Sequence, residues 1–104
     1  MKTYNYIKNN DIKKENGVLL QRGLVEMDNF TYYMLEDGSY AKGWVCDGEV
    51  FRYFDEEGKM LRDEFIREGK DMYYVDKDGV RFSGKLEKKG MEYYFDRSGR
   101  LLSW

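Results

Sequence analysis

Histidine is missing from all 104 residues. That removes the commonest general base and the commonest metal ligand, so neither a Ser-His-Asp nor a Cys-His catalytic arrangement can be assembled. Cysteine occurs once, at Cys46, which excludes an intramolecular disulfide and a thiolate metal cluster; the residue reads as a small buried hydrophobe. Proline is absent, which speaks against a Pro-rich linker or tail. No run approaches the roughly 18 apolar residues of a membrane span, and the opening MKTYNYIKNNDIKKENG holds no apolar stretch of a secretory leader. As written the chain reads as cytoplasmic, unless it is a fragment of an exported protein. Charge of one sign is lacking as well: 18 basic and 20 acidic residues are interleaved, whereas a nucleic-acid surface needs a one-sided basic patch. Acids are plentiful, and two carboxylates can hydrolyse a glycosidic bond, but here they stand in repeated turns where they have a structural task. The segment Asp76-Lys77-Asp78-Gly79 opens like a calcium loop and lacks the spacing and the bidentate Glu that would complete one. The expectation is a protein without catalysis, cofactor or metal.

What the chain has is aromatic residues and a period. Ten Tyr, six Phe and two Trp supply burial that a 37% charged chain of one-domain length would otherwise lack. Glycines stand at Gly17, Gly38, Gly58, Gly79 and Gly99, tyrosines at Tyr33, Tyr53, Tyr74 and Tyr94, and large apolar residues at Leu24, Trp44, Phe65 and Leu86. All three series advance by 20 or 21 residues, a period in the range of solenoids and arrays.

Each unit follows one grammar. A short alternating run (Trp44-Val45-Cys46, Phe65-Ile66-Arg67) leads to a turn signal (Asp28-Asn29, Asp47-Gly48, Glu68-Gly69, Lys89-Gly90), then to an aromatic run (TYYML, FRYFD, MYYVD, EYYFD). Such runs around Asx-Gly or X-Gly pairs predict β-hairpins. Asp55, Asp76 and Asp96, each three residues before a Gly, predict a second turn in which the carboxylate bonds the backbone; the first unit has Leu35 there. Alternation assigns Met34, Phe54, Val75 and Phe95 to the core and the tyrosine series to the opposite face. The predicted fold is all-β, a β-solenoid of stacked hairpins. Residues 1–22 form an N-terminal cap with a partial repeat, and 23–42, 43–63, 64–84 and 85–104 form four repeats, with Trp104 closing the last.

The pattern of Gly43-Trp44, the turn, the aromatic run and Asp-x-x-Gly resembles the cell-wall-binding repeats of Gram-positive bacteria and their phages. These include choline-binding modules, glucan-binding repeats and the repetitive oligopeptides of clostridial toxins. The likeness covers residues 17–104 and is closest at Gly43-Trp44, Tyr73–Gly79 and Tyr93–Gly99. It implies ligand sites between successive hairpins, built in the choline-binding branch as aromatic cages. A quaternary ammonium cannot donate a hydrogen bond, so ring faces hold it best. Carried over, the cage positions are Leu24, Trp44, Phe65 and Leu86, then Thr31, Phe51, Met72 and Glu92. Only the unit of Trp44 and Phe51 is aromatic at both, with Tyr53 or Tyr74 to close it; Phe65 and Tyr73 complete the candidates. For a glucan, sugar faces would stack on rings such as Tyr32, Tyr73 and Tyr93.

Two readings of function follow. One is a non-catalytic module that recognises a glycan or choline-bearing polymer through its aromatic side chains. The other is an intracellular repeat scaffold that binds a protein, such as an inhibitor carried by a phage or mobile element, suggested by the missing leader and the altered cage positions. Hairpin edges are pairing templates, which leaves a homo-oligomer open.

Overall fold

The computed structural model describes residues 3–4, 12–15, 18–21 and 23–103, with side chains over 23–102. Twelve strands occur among the described residues: β1 (Thr3–Tyr4), β2 (Ile12–Glu15), β3 (Val18–Gln21), β4 (Gly23–Met27), β5 (Phe30–Met34), β6 (Gly43–Asp47), β7 (Val50–Phe54), β8 (Glu64–Glu68), β9 (Asp71–Val75), β10 (Gly84–Lys88), β11 (Met91–Phe95) and β12 (Leu101–Ser103). Five antiparallel hairpins pair β2 with β3, β4 with β5, β6 with β7, β8 with β9 and β10 with β11. The fold class is the one read from the sequence, all-β and built of hairpin repeats of the β-solenoid type. The chain divides into two compact units, Met1–Leu61 and Arg62–Trp104, taken in turn below.

Turn chemistry sets each register. Asp28 and Asn29 both have positive φ (52° and 70°), as do Lys89 and Gly90 (53° and 82°), the requirement of a two-residue type I′ turn. In the two middle hairpins Gly48 (72°) and Gly69 (63°) come first in the loop, the glycine placement of type II′. Counting back from the fourth turn, Lys88 faces Met91, Leu86 faces Tyr93 and Lys85 faces Tyr94. This corrects one of the sequence rulers. Leu24, Trp44 and Phe65 face Tyr33, Tyr53 and Tyr74, so their counterpart is Lys85, not Leu86. Leu86 belongs with Val25, Val45 and Ile66, and the β10–β11 hairpin opens at Gly84. Both columns are largely apolar, so a count of hydrophobic residues could not choose between them.

The second turns behave as their aspartates dictate. Asp76 Oδ1 accepts from the amides of Asp78 (2.9 Å) and Val80 (3.0 Å), and Asp96 Oδ1 from those of Ser98 and Arg100 (2.9 Å each). Asp55 does the same for Glu57 and Lys59. Where Leu35 replaces the aspartate, Asp37 takes over two residues later, accepting from the Ser39 amide (2.9 Å) and hydroxyl (2.6 Å).

In the first unit the core is Tyr33, Ala41, Val45 and Phe54, with Leu24, Leu35 and Met60 against it. The parallel pairing of Thr3 with Trp44 and Tyr4 with Val45 adds β1 to the β6–β7 hairpin. In the second unit Ile66, Tyr74, Val75 and Phe95 are buried, and Tyr74, Phe82 and Phe95 pack with centroids 5.9–6.4 Å apart. The core columns expected from alternation are buried at Phe54, Val75 and Phe95, while Met34 is half-buried. The tyrosine column is not a separate outer face: Tyr33 and Tyr74 are buried too. Tyr33 meets Phe54 of the next hairpin edge-on at 6.1 Å, and Tyr74 meets Phe95 of its next hairpin at 6.4 Å. Consecutive hairpins within a unit thus interlock one column with the other. Trp104 lies outside the described residues.

Candidate ligand-binding site

In the second unit β8 and β9 present Phe65 beside Tyr74, and Arg67 beside Met72. Alternation puts Phe65 and Met72 on the face shared with Tyr74. The next hairpin brings Tyr93 and Met91, two residues apart on β11, and β12 brings Leu101 opposite Phe95. Phe65 is half-buried. Its ring stands 5.0 Å from Tyr74 at 57° and 5.0 Å from Tyr93 at 58°, tilted arrangements of the kind that favour ring edge against ring face. Between them opens a cleft of about 380 Å³ lined by Phe65, Met72, Met91, Tyr93 and Leu101. That volume is in the range of small-ligand sites. The lining carries no carboxylate and no basic group; its one side-chain polar atom is the Tyr93 hydroxyl.

Beneath the cleft Tyr74 is fixed. It is 4% exposed, its hydroxyl donates to Asp63 Oδ1, and Lys88 Nζ closes on the same oxygen at 2.7 Å. Glu64 stands where three other hairpins have a positive-φ glycine (Gly23, Gly43, Gly84), and here the positive φ, 53°, falls one residue earlier, at Asp63.

The six residues singled out in the sequence fall into two groups. Trp44, Phe51 and Tyr53 are in the first unit; Phe65, Tyr73 and Tyr74 are in the second. Trp44 is fully buried and packs edge-on against Tyr53 at 5.0 Å, while Phe51 and Tyr53 are half-buried. Phe65 and Tyr74 are in contact. Tyr73 is half-buried with the Arg81 guanidinium 4.5 Å over its ring. Met72 stood at a cage position in the sequence but was passed over because it is not a ring, whereas Met91 and Leu101 lie outside the cage positions and were missed as lining residues.

At the corresponding face of the β10–β11 hairpin charge replaces the rings. Lys85 pairs with Glu92 at 3.2 Å and Glu87 at 3.4 Å, and the Tyr94 hydroxyl donates to Glu92 at 2.9 Å. The Tyr94 bond, then Lys85, holds the Glu92 carboxyl below its usual range, and Glu92 raises both the Tyr94 and the Lys85 groups. A positive ligand gains little there, since Lys85 already answers the acids. Among the described residues no group of acids and cysteines is placed to hold a metal ion.

Comparison with known proteins bears on the repeats and the fold. Residues 21–65 match the model of the choline-binding repeat family. Among solved structures, the choline-binding domain of a Streptococcus pneumoniae protein is 24% identical, with a TM-score of 0.68 over 79% of this chain and 95% of that one. The multimodular pneumococcal cell-wall endolysin from phage Cp-1, complexed with choline, is 25% identical with a TM-score of 0.69; 77% of this chain spans 24% of it. Choline-binding protein F from Streptococcus pneumoniae is 23% identical with a TM-score of 0.68, and 92% of this chain spans 35% of it. No curated protein sequence matches the chain. Residues 21–65 thus carry repeats of the choline-binding type.

Proposed function

We propose that the chain is a non-catalytic binding module that seats a choline-like quaternary ammonium, borne on a cell-wall polymer, in the cleft of Phe65, Met72, Met91, Tyr93 and Leu101. The observation that carries this reading is the grouping of two rings, Phe65 and Tyr93, with three apolar side chains around an open space of ligand size. A methylated ammonium has an apolar skin and a full charge. Aliphatic walls match the skin, and the rings of Phe65 and Tyr93 match the charge through their negative faces. Met72 and Met91 fit the same task, being soft, polarisable and adaptable in shape. The solved structures add support, since the endolysin from phage Cp-1 is complexed with choline and the modular Cpl-1 endolysin with a peptidoglycan analogue.

Calorimetric titration of the intact chain with choline, glucans and cell-wall fragments tests the reading. Choline heat is expected, and Tyr93→Ala weakens binding by about tenfold, the scale of one desolvated cation–ring contact. A folded protein silent to every one of these ligands overturns it.

A further inference from the structure

The second unit holds two equivalent rings, and they are treated differently. Tyr73 on β9 and Tyr93 on β11 occupy one repeat position, facing Ile66 and Leu86 respectively. The chain then passes through an Asp-x-x-Gly turn to a residue that pairs back on the strand end: Arg81 opposite Val75 in one repeat, Leu101 opposite Phe95 in the next. Tyr93 and Leu101 together line the open cleft. Over Tyr73, by contrast, the Arg81 guanidinium sits 4.5 Å from the ring centroid.

This cation is built in. Arg81 Nη1 donates to the Ser98 carbonyl at 3.0 Å, which anchors the planar end of the side chain. Its stem runs beside Gly99 so closely that a Cβ there would lie 2.5 Å from Arg81 Cδ and 2.8 Å from Cγ. A tethered group competes with a free ligand at a high effective concentration, and an arginine stacks well on a ring while remaining charged at all ordinary pH. Among the described residues none of the cation–ring contacts falls on Phe65 or Tyr93.

We infer that Arg81 is a specificity-determining residue that fills the ring of Tyr73 with the chain's own cation, so that the residue at the Arg81/Leu101 position decides which repeats of the second unit accept an external quaternary ammonium. The inference rests on the function proposed above. It adds that the open site is chosen by that position as well as by the rings.

The test is nuclear magnetic resonance of the intact protein, following the ring resonances of Tyr73 and Tyr93 as choline is added to the wild type, Arg81→Leu, Arg81→Lys and Leu101→Arg. In the wild type only Tyr93 should shift. Arg81→Leu should add a choline-dependent shift at Tyr73, Arg81→Lys should not, and Leu101→Arg should weaken the response at Tyr93 by about tenfold or more. If Arg81→Leu is folded and Tyr73 stays silent, the inference is overturned, whatever the wild type does. If the wild type is silent at Tyr93 while Arg81→Leu responds at Tyr73, the inference stands and the cleft assignment falls. Should Arg81→Leu fail to fold, Leu101→Arg carries the decision: full choline response in that variant overturns the inference.

Discussion

Aromatic residues of this chain divide by burial more than by type. Trp44 has no exposed surface, so its main contribution is packing. Trp44→Ala should cost about 3–5 kcal/mol, read by urea unfolding. Removing a half-buried ring such as Tyr93 should cost less stability and more ligand affinity, and the contrast between the two variants separates scaffold from site. A second residue-scale prediction concerns acid. Asp96 lies below the usual carboxylate range because the Ser98 hydroxyl donates to it, followed by the Arg100 amide. A group depressed in the folded state contributes stability above its unfolded value, and that contribution is lost as pH falls through the folded value. Ser98→Ala should therefore raise the Asp96 titration toward the ordinary carboxylate range and start the acid loss of the turn at higher pH, followed by carboxyl chemical shifts. Asp37, lowered first by the Ser39 hydroxyl, should answer Ser39→Ala in the same way.

At the scale of the element, the hairpin with its following turn is the repeating piece, and glycine enters it for two reasons. Gly38 needs its positive φ of 87° and has nothing within 4 Å of where a Cβ would stand. Gly99 needs a positive φ of 94° and also leaves room for Arg81. Gly38→Ala should cost about 1–2 kcal/mol of backbone strain, and Gly99→Ala more than that because Arg81 must move as well; denaturant midpoints of the two variants rank them. The positions of hairpins, two-residue turns and Asp-x-x-Gly turns were all legible in the sequence, since each is dictated by residues within a few positions. What could not be read was set by tertiary choice. The slip that makes Lys85 rather than Leu86 the counterpart of Trp44 follows from the turn at Lys89-Gly90, counted backward. The burial of Tyr33 and Tyr74 follows from neighbouring hairpins interlocking, which two-face alternation does not anticipate. Phe65 was legible as a site residue and Met72 as a cage position without a ring, whereas Met91 and Leu101 became site residues only when the strands were in place.

Across the whole molecule, nearly every strand pairing is local, one hairpin arm with the next. Among the described strands the pairing of β1 with β6 is the exception: Thr3 lies beside Trp44, with two complete hairpins between them in sequence. Hairpins close in roughly 1–10 μs, whereas a distant strand must wait until the loop between is organised, and such non-local contacts are the ones that slow folding. The order of events follows from this separation. The hairpins should form first, and β1 should dock last, after the barrier has been crossed. Contacts made after the barrier govern how fast a protein comes apart rather than how fast it assembles. Deleting residues 1–4 should accordingly leave the refolding arm of the chevron in place and raise the unfolding arm, measured by stopped-flow tryptophan fluorescence. The short first strand thus acts as a kinetic latch: it contributes little to reaching the native state and much to the time the chain remains in it.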